Sequence, residues 1–130
     1  MDRNNYNTKQ RDEIVEFFSR HRGSCFTAKD IIVSGEVTVG EATVYRTLNR
    51  LSDEGELLKV KINNGADHFD HQTFPHYHIR CTECGRVDDV MVPVLGTIEK
   101  EAEAGSGYVI TGHSLQFDGI CPACQAKAAE

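Results

Sequence analysis

Two pairs of cysteines set the first chemical constraint. Cys81-Thr-Glu-Cys84 and Cys121-Pro-Ala-Cys124 are C-x2-C pairs with 36 residues between them. That short spacing lets both sulfurs of a pair reach one ion, and four thiolates close a tetrahedral shell around structural Zn2+, one per chain. Gly85, just after the first pair, permits the tight turn of a zinc knuckle. An iron–sulfur centre or two separate redox pairs are the other chemistries open to these cysteines. A thioredoxin-like motif opens a helix after a strand, and neither pair fits that context well. A closed shell leaves no position for substrate, so such a zinc staples the fold rather than catalyses.

A second constellation is rich in nitrogen and oxygen ligands. It runs through His68-Phe-Asp70-His71, His76-Tyr-His78 and Asp88-Asp89. His76 and His78 alternate, so on a strand they share one face. Imidazoles joined by carboxylates suit a first-row divalent ion such as Fe2+, Mn2+ or Zn2+. Each histidine taken singly is an ordinary core or surface residue. Their clustering beside a separate four-cysteine site is what argues for a second metal. The fifth cysteine, Cys25, stands far from all of these in the sequence.

The chain that must position these groups has 130 residues, a net charge of -6, 39% hydrophobic and 26% charged residues. Those proportions exclude a disordered or fibrous chain, and the length allows one ordinary domain or two small ones. No apolar run is long enough to span a bilayer, and the polar N-terminus does not read as a secretory signal. The expectation is a soluble, cytoplasmic protein in which cysteines serve as metal ligands or redox groups rather than disulfides. Residues 1–67 hold ten Lys+Arg against eleven Asp+Glu; residues 68–130 hold four against nine. The acidic excess therefore sits in the half that carries the clustered ligands. It argues against a general nucleic-acid coat, not against a local DNA-reading surface.

The first half reads as three helices and a hairpin. Thr8 is the expected cap of a helix to about His21, with Ile14, Phe17 and Phe18 on one face. Thr27 and Asp30 form a capping-box signature for a short helix ended by Gly35, and Thr38 with Glu41 forms another. Val44, Leu48 and Leu51 then repeat at helical spacing before a stop at Gly55. The segment LLKVKINNGADHFD reads as two strands around an Asn63-Asn64-Gly65 turn. This is the outline of a winged helix-turn-helix, whose third helix enters the major groove. Thr43, Tyr45, Arg46 and Arg50 on that helix, with Lys59 and Lys61 on the hairpin, are the candidate DNA contacts. On pattern alone, a solvated helix with ordinary surface arginines accounts for the same residues. The second half reads as a small α/β unit: strands at Tyr77–Arg80 and Val87–Val92, a helix at Val94–Ala104 ended by Gly105, and a strand at Tyr108–Phe117.

ATVYRTLNRL, HFD, PHYHIRCTECG and GICPAC occur in this order in a chain of this length. The combination resembles the ferric-uptake-regulator (Fur) family of bacterial metal-dependent repressors, over about residues 8–125. The resemblance implies an α+β fold: a winged-helix DNA-binding domain at residues 1–71, a hinge at 72–76, and an α/β dimerisation and metal-binding domain at 77–130. It also implies a homodimer that binds a double-stranded palindromic operator when its regulatory metal is present. No membrane partner and no small organic substrate are expected.

In the peroxide-sensing branch of that family, the regulatory Fe2+ or Mn2+ is held by five residues. Asp70, His76, His78 and Asp89 occupy four of the five places. Iron-sensing members usually carry glutamate at the place of Asp89, so Asp89 favours the peroxide branch. The fifth place usually holds histidine in a His-Pro-Thr-Ala motif; here the segment reads Cys25-Phe-Thr-Ala. Cys25 has three readings: a thiolate ligand, an oxidisable sensor, or an inert buried residue. His76 and Cys25 stand at the two positions oxidised in that branch. Pro75 and Tyr77 replace ligands of an extra site found in many members, so His113 is expected to bond locally on a strand. The resemblance makes metal a hinge clamp that sets the separation of two recognition helices. An iron- or zinc-uptake regulator is the first alternative, followed by a zinc-dependent enzyme or a zinc adaptor that does not bind DNA. The sequence carries no HExxH, nucleophile motif or glycine-rich phosphate loop, so no catalytic residue is assigned.

Overall fold

A computed structural model of the chain describes residues 3–62 and 65–129. The fold is α+β, in two compact units, Met1–Phe74 and Pro75–Glu130. The first holds α1 (Arg3–Arg20), β1 (Ser24–Cys25), α2 (Ala28–Ser34), α3 (Glu41–Asp53), β2 (Leu58–Val60) and β3 (His68–Asp70). Among the described residues, no helix is long and apolar enough to cross a membrane.

Helix α1 starts at Arg3, so Thr8 lies inside it and is not its cap. No proline or glycine interrupts residues 3–8, and nothing stops the helix from extending N-terminally past the expected start. Ile14, Phe17 and Phe18 face inward as their spacing requires, and all three are buried. The capping box of α2 forms: Asp30 N–H donates to Thr27 Oγ1 at 3.0 Å, and Thr27 N–H donates to Asp30 Oδ2 at 2.9 Å. Gly35 then closes α2 in the left-handed conformation, at φ 73°.

The second expected box does not form. Gly40 caps α3 without a side-chain bond. Thr38 instead donates its backbone N–H and its hydroxyl to Glu13 Oε1, at 2.7 and 2.9 Å. A carboxylate on α1 thus takes the hydroxyl that local spacing assigned to α3, through hydrogen bonds to an ionised acceptor. Val44, Leu48 and Leu51 are fully buried and join Ile14, Phe17, Phe18, Ala28, Ile31, Leu57 and Phe69 in one core. Each large aliphatic or aromatic side chain in it contributes about 1.5–3 kcal/mol by leaving water.

β2 and β3 pair antiparallel, with Lys59 opposite Phe69 and Leu58 opposite Asp70. The expected turn residues Asn63 and Asn64 lie outside the described residues. Phe26 and Phe69 exchange backbone hydrogen bonds at 3.0 and 2.8 Å on the other side of β3. Three helices and this hairpin make the winged-helix outline.

The second unit holds β4 (Tyr77–Cys81), β5 (Val87–Val90), α4 (Gly96–Ser106), β6 (Gln116–Gly119) and α5 (Pro122–Ala128). β4 lies between β5, to which it is antiparallel, and β6, to which it is parallel. The strand expected over 108–117 contracts to β6, because only Gln116–Gly119 finds a ladder on β4. Residues 107–115 include Gly107 and Gly112 and form no strand, leaving Tyr108 73% and Val109 86% exposed. Helix α4 runs through Gly105 and ends at Gly107, the residue that takes the left-handed conformation. Its start falls after Leu95, whose N–H donates to the Tyr77 hydroxyl at 2.8 Å. Helix α5 was not expected from the sequence; Pro122 stands at its first turn, where a missing N–H costs nothing. Neither α4 nor α5 buries a residue.

Candidate metal centres

β4 and β6 run parallel, so their C-terminal ends point the same way. Cys81 ends β4, and Cys121 follows β6. This topology brings the two knuckles together. Thr82 N–H donates to Gly119 O at 2.8 Å and ties one to the other. Gly85, at φ 80°, makes the first knuckle's turn and donates its N–H to Cys81 O at 2.9 Å. Cys121 caps α5, its sulfur accepting from Cys124 N–H at 3.4 Å.

The sulfurs of Cys81 and Cys124 lie 3.8 Å apart, and those of Cys84 and Cys121 3.9 Å apart. All four lie within 4.8 Å of one another. A tetrahedral ion with Zn–S bonds of about 2.3 Å requires sulfurs about 3.8 Å apart. The four-cysteine site therefore fits a structural zinc ion. Its electrostatics point the same way. Backbone N–H groups of Cys121 and Cys84 aimed at Cys81 sulfur push that thiol down to about 6. Cys124 is pushed up to about 12, chiefly by its contact with Cys121 and by burial. The cage favours a thiolate at Cys81 and disfavours one at Cys124 until a cation offsets their repulsion.

The candidate regulatory ligands fall into two sets, one per unit. In Pro75–Glu130, the antiparallel register puts His78 directly opposite Asp89. Directly opposed side chains share a face and lie close. His78 Nε2 is 3.5 Å and His76 Nε2 3.0 Å from Asp89 Oδ1, and the two rings lie 4.4 Å apart. The side chains of His76 and Asp89 are each 2% exposed. In Met1–Phe74, the Phe26–Phe69 bridge aligns Cys25 with Asp70. Cys25 S–H donates to Asp70 Oδ2 at 3.4 Å, while Asp70 Oδ1 accepts from Gln72 N–H at 2.9 Å. Both residues are buried. A carboxylate held this dry is costly unless a cation or hydrogen-bond donors answer it. Imidazole, carboxylate and thiol donors fit Fe2+ or Zn2+; the carboxylates and imidazoles also fit Mn2+.

Other residues of the histidine-rich stretch do different things. His68 Nδ1 bonds Ala66 O at 3.0 Å. Asp88 pairs with Arg86 at 2.9 Å, and its register partner is Ile79, on the face opposite His78. His71, directly after β3, is half-buried. His113 bonds locally as expected, but from irregular backbone rather than a strand.

On α3, Tyr45, Arg46 and Arg50 are exposed and Thr43 is half-buried. Arg46 donates to Thr43 Oγ1, about one helical turn back, at 3.1 Å. On the hairpin, Lys59 Nζ sits 5.9 Å from the Phe69 ring centroid, and Lys61 pairs with Asp67 at 2.9 Å. Sequence reasoning missed Glu13 and Glu99. Both are carboxylates whose partners lie in distant segments, and neither sits in a motif.

The model of the "Ferric uptake regulator family" matches residues 3–118. A peroxide-responsive repressor, PerR, of Staphylococcus aureus is 33% identical over 89 residues, covering 68% of this chain. The match spans 60% of that relative's length. A ferric uptake regulator from Francisella tularensis, solved with iron, aligns with a TM-score of 0.72 at 25% identity, over 89% of this chain and 91% of that one. The Vibrio cholerae ferric uptake regulator (Fur) aligns with a TM-score of 0.67 at 28% identity, over 86% and 88%.

Proposed function

The chain belongs to the ferric uptake regulator family, and from that premise we propose that it is a metal-dependent repressor of transcription. In this reading the unit Met1–Phe74 binds operator DNA and the unit Pro75–Glu130 dimerises. Thr43, Tyr45, Arg46 and Arg50 reach the major groove, and Lys59 and Lys61 the phosphates. A second copy of the chain covers the apolar side chains that the second unit leaves in water, among them Met91, Tyr108 and Val109. The partner DNA is a double-stranded palindrome, matching the two-fold symmetry of such a dimer. The protein works in the cytoplasm and is not an enzyme.

Cys81, Cys84, Cys121 and Cys124 hold structural zinc. The observation that carries the regulatory reading is the register that aligns His78 with Asp89 and brings His76 to the same carboxylate oxygen. Three ligands leave a divalent ion's shell incomplete. By the family pattern Asp70 is the fourth ligand, and Cys25 stands at the fifth place. In such a metal-dependent repressor, metal occupancy and DNA affinity are reciprocal.

The finer proposal is that the protein responds to peroxide. Asp89 and the Staphylococcus aureus relative support it. Bound Fe2+ supplies the one-electron chemistry that reacts with hydrogen peroxide. His76 and Cys25 are the candidate side chains for oxidation, and oxidation of His76 removes a ligand. The test measures operator affinity with Fe2+, Mn2+ or Zn2+ added without oxygen, before and after peroxide, with peptide mapping. Loss of binding together with oxidised His76 or Cys25 supports the proposal. Metal-dependent binding that ignores peroxide, with both residues unmodified, returns the protein to the metal-uptake regulators. Arg46→Ala is expected to weaken operator binding at least about tenfold; unchanged specific binding would remove the DNA assignment.

A further inference from the structure

A third group of titratable side chains lies in the second unit, outside both candidate centres. The Leu95 N–H donates to Tyr77 Oη at 2.8 Å. Tyr77 Oη lies 2.6 Å from His113 Nε2, and His113 Nδ1 lies 2.9 Å from Glu99 Oε1. For a neutral His113, chemistry fixes the direction of each bond. The Leu95 amide can only donate, so Tyr77 Oη accepts there. An ionised Glu99 can only accept, so His113 Nδ1 carries the proton. Tyr77 then gives its hydroxyl proton to His113 Nε2. One proton order satisfies every atom in the chain, and no cation is needed to complete it.

This relay joins three segments: β4, the start of α4 and the irregular stretch 107–115. Tyr77 is buried, and its ring also packs edge-on against Phe117 of β6 at 6.3 Å. Side chains alternate along a strand, so Tyr77 points away from the face shared by His76 and His78. Holding the Tyr77 hydroxyl from two sides therefore fixes the rotation of β4 from behind. That rotation sets where both imidazoles meet Asp89.

We propose that Tyr77, His113 and Glu99 form a metal-free positioning relay that sets the geometry, and so the affinity, of the His76/His78/Asp89 centre. The inference rests on the reading of those three residues as metal ligands. Outer partners that orient a ligand typically change metal affinity by about 10–100-fold when removed.

The experiment uses the full-length, zinc-loaded protein and Co2+ as the probe, read by titration and by the ion's visible absorption. Tyr77→Phe keeps the ring and removes the hydroxyl. It is expected to weaken Co2+ binding about tenfold and to shift the absorption bands, with zinc content and melting temperature kept. His113→Leu is expected to behave alike. His113→Gln, which can accept from Tyr77 and donate to Glu99, is expected to restore much of the affinity and the native spectrum. Native affinity and spectrum in Tyr77→Phe would overturn the relay. So would an additional Co2+ equivalent that His113→Leu removes, because the cluster would then be a metal site. His76→Ala separates this failure from that of the premise: if it still bound Co2+ normally, the ligand reading and the relay would fall together.

Discussion

The two units are held together by different means. Among its described residues, Met1–Phe74 has an apolar core of ten buried side chains drawn from three helices and the hairpin region. Among the described residues of Pro75–Glu130, the buried hydrophobic ones are Tyr77, Cys81 and Val87, and both helices lie on its surface. A unit with so few buried apolar side chains gains little order from packing, and small domains of this kind are commonly completed by metals or oligomerisation. The first unit therefore owes its order to packing. The second owes it to four sulfurs and, in the proposed dimer, a second chain.

The largest expected effect tests that division directly. Cys81→Ser removes one of four sulfurs, and structural zinc sites contribute on the order of 10 kcal/mol to folding. The zinc is expected to be lost and the second unit to unfold, while α1–α3 persist in circular dichroism and resist proteolysis. Equal loss of both units would break the comparison. Next comes Leu48→Ala in the fully buried core, expected to cost about 2–5 kcal/mol. Chemical denaturation should show the loss in the first unit only, at unchanged zinc stoichiometry; zinc loss there would also break it. Thr27→Ala removes the capping hydroxyl of α2 and is expected to cost about 1 kcal/mol, read as a lower melting temperature.

The smallest effect is electrostatic. His21 and Arg20 hydrogen-bond Glu36 at 2.8 and 3.0 Å and hold its carboxyl below the usual carboxylate range, His21 first. A carboxyl lowered on folding stabilises the native state above its unfolded pKa, and that stability is lost as pH falls through its folded value. Because the group is solvent-screened, Glu36→Gln is expected to flatten only slightly the acid limb of a melting-temperature profile. A large change would mean that ion pairs matter more to the first unit than its core does.

Local signals were legible wherever a side chain answers to its own neighbours. The Thr27–Asp30 box, the Val44/Leu48/Leu51 face and the left-handed stops at Gly35 and Gly55 follow from spacing and backbone sterics. The paired cysteines were legible because metal chemistry constrains spacing tightly. What spacing could not supply was competition from distant groups. Glu13 took Thr38 from its expected box across 25 residues of chain. The 108–117 strand shrank because a strand exists only where a partner offers a ladder, and β4 offered one to Gln116–Gly119 alone. Glu99 was missed for the same reason: its meaning depends on His113, fourteen residues away.

The parallel pairing of β4 and β6 has a kinetic consequence. Adjacent parallel strands cannot be joined by a hairpin, so this contact closes a long chain loop, through β5 and α4, late and slowly. The four sulfurs sit where that loop shuts, and a zinc ion there acts as the latch. Until it closes, β4 has a bare edge open to pairing with another chain. For a newly made molecule, zinc supply therefore sets how long that edge stays open, and with it the division between folding and aggregation.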